Sequence, residues 1–248
     1  MAFGAIIIGD EILSGKRQDK HFVKVIEILT KRGLELSWCE YIGDDRARIT
    51  AVLKRTLAGP DVVFSFGGIG ATPDDHTRQS AAAALGVAME IHQEAVQEII
   101  ARFGEAAYPH RVLMAEFPKG AAMVPNPFNR IAGFNVGRHY FLPGFPEMSW
   151  PMMEAVLDTH YAHLFNATPP AEEVIITEGA GEGDLIPTMN EIVTRFPDLK
   201  LSSLPKLVVD NRRIIEFSLK GNPGRVSEAM QIMKQSVTRL GYRYDEKC

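Results

Sequence analysis

Three loops that follow predicted β-strands contain the residue types that bind phosphate groups or cations. The polar segment 9–15 follows the apolar run 5–8, and the glycine-rich segment 67–75 follows the apolar run 62–66. A third segment, 142–148, begins at the end of a later strand. Ligands of open α/β sheets bind at the carboxyl ends of the strands. We therefore expect the three loops to meet at one edge of a sheet.

The first loop places two carboxylates, Asp10 and Glu11, side by side. Adjacent carboxylates suit a hard divalent cation, so both are candidate metal ligands, and Ser14 is a candidate cofactor contact. The alternative is that Asp10 caps a turn and Glu11 is solvated. Asp44 and Asp45 follow the second strand, and Asp45 is also explained as the N-cap of the next helix.

The second loop combines glycines with acids just before a predicted helix. Its candidate ligands are Gly67, Gly68, Gly70 and Thr72 for a phosphate, and Asp74 and Asp75 for a cation. Glycine N–H groups can turn toward an anion, and the helix N-terminus adds a partial positive charge. Thr72 or Asp74 can also cap the helix, with Pro73 in its first turn. The alternative is a plain tight turn before a helix, which leaves one of the two neighbouring acids without a role.

The third loop offers Pro143 and Gly144 as candidate cofactor contacts. Proline and glycine at a strand-to-helix junction need no ligand, so this loop has a purely structural explanation as well. Lys16, Arg17 and Lys20 are cations that can meet phosphates or remain solvated.

Apolar runs that alternate with amphipathic segments up to about residue 103 predict a mostly parallel sheet with helices on both faces. We expect helices at about 74–85 and 147–164. The short segments 122–124, 131–136 and 140–142 are expected to add antiparallel strands at the sheet edge.

Two prolines in the segment 166–170 predict a linker, because proline cannot continue a helix. The chain then restarts with strand, helix, two strands and helix. We therefore expect two domains, 1–166 and 171–248, the second a small α+β module.

The charge, the apolar runs and the cysteine and histidine content argue against several classes of protein. With 27 Lys and Arg against 31 Asp and Glu, the net charge is −4, which disfavours a mainly electrostatic nucleic-acid binder. No apolar run approaches the ~20 residues that span a bilayer, so we expect a cytoplasmic protein without membrane or nucleic-acid partners. The 2 cysteines and 7 histidines form no zinc-binding pattern.

The order of four motifs resembles the molybdopterin-binding (MoaB/Mog-like) domain of CinA-type competence/damage-inducible proteins. These motifs are the segments 9–15, 42–45, 67–75 and 142–148, and the resemblance covers about residues 4–165. The tail, with segment 178–182 opening its helix, resembles the small KH-like module that follows this domain in CinA proteins.

The resemblance implies a three-layer α/β/α fold that binds a pterin or nucleotide phosphate, and a homo-oligomer. It assigns Asp75 and Asp44 as the catalytic acids. Phe66 stands where Ser or Thr is common, Ala71 replaces a common Pro, and the pair at 20–21 replaces Thr-Asn. The separate amidase domain of full-length CinA is not expected within these 248 residues.

The leading hypothesis is a hydrolase of nucleotide pyrophosphates, such as ADP-ribose or FAD, that uses Mg²⁺, Mn²⁺ or Co²⁺. The cation would be held by Asp75 with Asp44, Asp74 or Asp10. The competing hypothesis is a non-catalytic molybdopterin binder or carrier. Nucleic-acid binding through the tail is disfavoured, because the segment 221–224 carries a proline and directly follows a strand.

Overall fold

The computed structural model describes residues 1–166, 170–207 and 213–247. The backbone divides into two compact units, Met1–Ala167 and Thr168–Cys248. Residues 167–169 of the predicted linker lie outside the described part of the chain. None of the described helices combines the length and the apolar character that a membrane span requires.

The first unit contains eight of the described strands and six of the described α-helices. The strands are β1 (Phe3–Ile8), β2 (Leu36–Ile42), β3 (Val62–Phe66), β4 (Met89–Ile91), β5 (Glu116–Pro118), β6 (Ala122–Val124), β7 (Gly133–Val136) and β8 (His139–Leu142). The helices are α1 (Asp10–Leu13), α2 (His21–Thr30), α3 (Arg46–Leu57), α4 (Thr77–Leu85), α5 (Gln93–Phe103) and α6 (Pro146–His160). Short 3₁₀ helices occur at Gly104–Ala107, Arg111–Ala115 and Ala162–Leu164.

A six-stranded sheet in the order β2-β1-β3-β8-β7-β6 forms the centre of this unit. Strands β2, β1, β3 and β8 are parallel, and β7 pairs antiparallel with both β8 and β6. The prediction of antiparallel edge additions was therefore wrong for β8, which pairs in parallel with β3. All four β8 residues are buried, as expected for a strand covered on both faces.

Helices cover both faces of the sheet, so the predicted three-layer α/β/α class is confirmed. Successive residues of a strand point to opposite faces, and β1 shows this clearly. Ala5 and Ile7 pack in the core that contains residues of α2 and α6. Ile6 and Ile8 pack in the core that contains residues of α3, α4 and α5.

The start of α3 agrees with the prediction from the sequence, whereas the start of α4 does not. Asp45 caps α3 by accepting a hydrogen bond from the Arg48 N–H at 2.8 Å, as its position predicted. Helix α4 begins at Thr77, three residues later than expected, and neither Thr72 nor Asp74 caps it. The reason is that Asp75 closes a turn with Thr72 instead of entering the helix. The first loop likewise contains the four-residue helix α1, which was not predicted.

The second unit is a small α+β module. Its elements are β9 (Ala171–Glu178), α7 (Glu182–Arg195), β10 (Lys200–Leu207), β11 (Arg213–Gly221), α8 (Pro223–Arg239) and β12 (Arg243–Lys247). The antiparallel sheet runs in the order β10-β11-β9-β12, and both helices contribute to its apolar core. Strand β12 escaped prediction because its residues are mostly charged and exposed.

Candidate functional site

A cleft of about 710 Å³ opens at the carboxyl ends of β1, β3 and β8. All three predicted loops contribute to it, as their positions after parallel strands require. The predicted site residues that line it are Glu11, Asp44, Gly67, Gly68, Gly70, Thr72, Asp74, Asp75, Pro143 and Gly144. The cations Arg17 and Lys20 line it too. Asp10 and Ser14 are not among the lining residues, and Ser14 is exposed on the short helical turn.

The glycine-rich segment 67–75, called the glycine loop below, turns sharply after β3, and helix α4 holds this turn in place. Gly67 and Gly68 have φ values of 104° and 68°, a region that favours glycine. A Cβ at Gly68 would overlap the Thr77 hydroxyl. Thr77 fixes the turn by donating its hydroxyl to the Gly67 carbonyl at 3.0 Å and its N–H to the Gly68 carbonyl at 2.9 Å.

The turn leaves four consecutive backbone N–H groups beside the cleft without a partner among the described residues. Residues 68–71 all line it, and their N–H groups donate no hydrogen bond to any other described residue. Backbone N–H groups without partners are costly unless water or a ligand satisfies them. Consecutive N–H groups at a turn form a concavity suited to an anion.

Asp44 is fixed by Asp10. The Asp10 N–H donates to Asp44 Oδ2 at 2.9 Å, and the Asp44 N–H donates to Asp10 Oδ1 at 3.0 Å. A Cβ at Gly43 would overlap that Asp10 oxygen. Burial raises the pKa of Asp44, and the like charges of Asp10, Glu11 and Asp74 raise it further. Asp10 thus positions Asp44, and Asp44 itself reaches the cleft.

Asp75 is half-buried and is the last residue of the glycine loop. Its Oδ2 accepts the Thr72 N–H at 2.9 Å and also the Thr72 hydroxyl. The Asp75 N–H donates back to the Thr72 carbonyl at 3.0 Å. Asp75 therefore closes a turn with one oxygen, while its Oδ1 accepts no hydrogen bond from a described residue.

The carboxylates of the cleft do not make a protein-only metal site. Within residues 1–166, 170–207 and 213–247, no three His, Cys, Asp or Glu side chains are grouped so as to hold a metal ion. Asp44 and Asp75 each keep one carboxylate oxygen without a donor from the described residues. Mg²⁺ is commonly held by one or two carboxylates together with waters and substrate phosphates. The carboxylate oxygens of Asp44 and Asp75 therefore fit a cation that also binds phosphate oxygens of a ligand.

A family model described as a probable molybdopterin binding domain matches residues 4–163, which include the whole cleft. The chain belongs to this family. A CinA-like protein of Anaeromyxobacter sp. (strain Fw109-5) is 37% identical over 145 residues, which are 56% of this chain and 35% of that protein. The resemblance predicted from the four ordered motifs is thereby confirmed.

Two further likenesses extend the comparison. A protein of Pyrobaculum calidifontis is 30% identical over 246 residues, covering 95% of this chain and 92% of the relative. The crystal structure of CinA from Thermoplasma acidophilum has a TM-score of 0.58 at 28% identity, covering 63% of this chain and 96% of that chain. The KH-like resemblance of the second unit stays a prediction.

Within this molybdopterin-binding-type domain, His21 is a cleft residue whose role was not predicted. Its ring is buried, stacks on Phe66 at 4.6 Å between ring centres, and lines the cleft with Phe66. The Trp150 indole N–H donates to His21 Nδ1 at 3.3 Å, so Nε2 carries the proton that reaches the Gly144 carbonyl at 3.1 Å. Burial lowers the pKa of His21, which keeps this neutral form.

The stacked residues His21 and Phe66 are both positions that the sequence resemblance marked as unusual. Phe66 and His21 are the positions where the resemblance led us to expect Ser or Thr and Asn, and here the two rings contact each other. The residues are 45 positions apart, and no sequence period links them. Only the fold brings them together, since β3 and α2 are not neighbours along the chain.

Proposed function

We propose that the molybdopterin-binding-type domain binds the pyrophosphate group of a nucleotide, or of a related pterin nucleotide, and hydrolyses it with a divalent cation. The observation that supports this most is the row of N–H groups at residues 68–71, which have no partner among the described residues and line the same cleft as Asp44 and Asp75. Such a row binds an anion, and the neighbouring carboxylates would repel that anion unless a cation lies between them.

Each part of the cleft then has a role. The N–H groups of the glycine loop hold one phosphate, while Arg17 and Lys20 attract the second. The oxygens of Asp44 and Asp75 that lack a donor among the described residues would hold Mg²⁺, Mn²⁺ or Co²⁺, with phosphate oxygens and waters as its other ligands. When bound, the cation neutralises charge on the pyrophosphate and activates water. In hydrolysis a water oxygen bonds to one phosphorus, the bond from that phosphorus to the bridging oxygen breaks, and the bridging oxygen leaves with the other phosphate. The proton that the water loses passes to the solvent.

The test is product formation from ADP-ribose and FAD, with each of the three cations and with EDTA. The decisive variant is Asp44→Asn, and Asp45→Asn is its matched control. Asp45 is the adjacent acid, it caps α3, and asparagine caps a helix about as well as aspartate. We expect cation-dependent turnover that Asp44→Asn abolishes and Asp45→Asn preserves. Absence of turnover with every cation would refute the hydrolase proposal.

The family description itself favours a second candidate, a non-catalytic binder or carrier of molybdopterin in molybdenum cofactor metabolism. Apolar cleft residues, among them Ile131, Phe145 and Met148, would face the ring system of such a ligand. Oxidised pterins fluoresce, so fluorescence of the ligand released from purified protein tests this directly. Pterin retention without any pyrophosphate hydrolysis would favour the carrier.

A further inference from the structure

Arg78 is a buried cation directly behind the glycine loop. It is the second residue of α4 and is only 3% exposed. Its Nη2 donates to the Gly70 carbonyl at 2.6 Å, and its Nη1 donates to the Glu116 carbonyl at 3.0 Å and to the Leu113 carbonyl. The guanidinium therefore connects the glycine loop with the segment 113–116.

The charge of Arg78 is not neutralised by an adjacent acid. Among the described residues, no carboxylate oxygen lies within 4.0 Å of the guanidinium, and its Nε has no hydrogen-bond partner. Burial lowers the pKa of Arg78, while the more distant charges of Glu116 and Asp75 raise it. A buried charge without a counter-ion is costly, and an anion bound at the adjacent glycine loop would reduce that cost.

Both segments that Arg78 joins are walls of the cleft. Gly70 belongs to the row 68–71, whose N–H groups have no partner among the described residues, and Met114 of the other segment lines the same cleft. With the Gly70 carbonyl held on the guanidinium, the peptide groups of this turn have a fixed orientation. The positive charge acts through the protein interior, where it is screened much less than at the surface.

We propose that Arg78 is a positioning residue of the anion site: it orients the glycine loop and supplies the buried positive charge that stabilises an anion bound there. This inference rests on the proposed function, because it needs a phosphate on the glycine loop. It extends that function because the counter-ion of Arg78 is then a phosphate of the ligand and not a carboxylate of the protein.

The test compares the affinities of ADP and AMP by calorimetry in EDTA and again with Mg²⁺, with a non-hydrolysable ADP analogue in place of ADP in the Mg²⁺ arm. Arg78→Gln removes the charge, Arg78→Lys keeps it without the guanidinium fork, and Arg138→Gln is the matched control. Arg138 also donates to a backbone carbonyl, that of Pro60, but lies outside the cleft. Arg78→Met, which needs no polar partner, repeats the test if Arg78→Gln does not fold in a thermal melt.

We expect Arg78→Gln to lower the ratio of ADP to AMP affinity about tenfold, because the more charged nucleotide loses more. Arg78→Lys should keep the wild-type ratio of ADP to AMP affinity. Arg78→Gln and Arg78→Lys should both melt at a lower temperature than the wild-type protein. Arg138→Gln should change neither the affinity ratio nor the melting temperature. An equal loss of affinity for both nucleotides, or no loss, would overturn the inference and make Arg78 a scaffold residue. Binding without hydrolysis would refute only the hydrolase proposal, and a wild-type protein that binds neither nucleotide would refute both.

Discussion

Asp10 and Asp44 each accept a hydrogen bond from the other's backbone N–H, at 3.0 and 2.9 Å, across 34 residues of chain. The exchange is possible because β1 and β2 are parallel neighbours that end at paired residues, Ile8 and Ile42. It fixes the side chain of Asp44 beside the glycine loop and leaves one of its oxygens for a ligand.

The first prediction concerns Asp10 as the residue that holds Asp44. Asp10→Ala removes the acceptor for the Asp44 N–H and should lower the free energy of unfolding by about 1 kcal/mol. It should also lower kcat about tenfold, because Asp44 is then less well oriented. Asp10→Asn keeps an oxygen acceptor and should retain most of both. Denaturant unfolding and initial rates on the same samples check this, and equal losses in the two variants would show that the charge matters more than the bond.

The second prediction separates the two roles of Asp75. Asp75→Asn keeps an oxygen that can accept from Thr72, so the melting temperature should stay nearly unchanged while cation-dependent turnover is lost. Asp75→Ala loses the turn as well and should cost about 1 kcal/mol of stability. Turnover and thermal melting are measured on one preparation. Retained turnover in Asp75→Asn would remove Asp75 from the catalytic site.

The third prediction is a pH dependence of stability from His139. This ring is buried, with Nε2 3.2 Å from Ser65 Oγ and no partner for Nδ1 among the described residues. Burial lowers its pKa from 6.5 to about 3. The unfolded chain thus binds a proton near pH 6.5 that the folded chain does not bind until about pH 3, so its stability contribution is complete above the first value and is lost as the pH falls between the two.

Urea unfolding at a series of pH values between about 7 and 4 checks this. His139→Gln should reduce the slope of unfolding free energy against pH by up to about 1.4 kcal/mol per pH unit. His21, whose pKa is also lowered by burial, contributes with the same sign and remains in the variant. Identical slopes for the variant and the wild-type protein would contradict the assignment.

The fourth prediction tests the stack of His21 on Phe66. Phe66 is fully buried, so Phe66→Ser should cost about 3 kcal/mol or more through the cavity it leaves. His21→Asn should be less costly. Because the two rings are in contact, the double variant should be more stable than the sum of the single losses implies, by roughly 1 kcal/mol. Strict additivity in denaturant unfolding would show that the stack contributes nothing of its own.

Much of the fold could be predicted because the central strands β1 and β3 are mostly apolar and are buried along their whole length. The strand β3 was predicted with its exact bounds from Val62 to Phe66. The meeting of the three loops followed from parallel topology alone, since parallel strands end at the same edge.

The remaining parts depend on contacts between residues distant in sequence. The start of α4 was misplaced because the Asp75 carboxylate bonds back to Thr72, a choice that propensity does not reveal. Strand β12 lacks apolar alternation. Arg78 lies in the helix that was predicted at about 74–85, and nothing in the sequence indicates that it is buried and donates to the carbonyls of Leu113 and Glu116.

Joint binding of a cation and a phosphate in the cleft is tested most directly by the anomalous diffraction of Mn²⁺ in crystals grown with a non-hydrolysable ADP-ribose analogue. We expect one Mn²⁺ peak in contact with the carboxylates of Asp44 and Asp75, and a phosphate of the analogue on the N–H groups of residues 68–71. An analogue bound with its phosphates away from this loop, or Mn²⁺ bound without contact to either carboxylate, would contradict it.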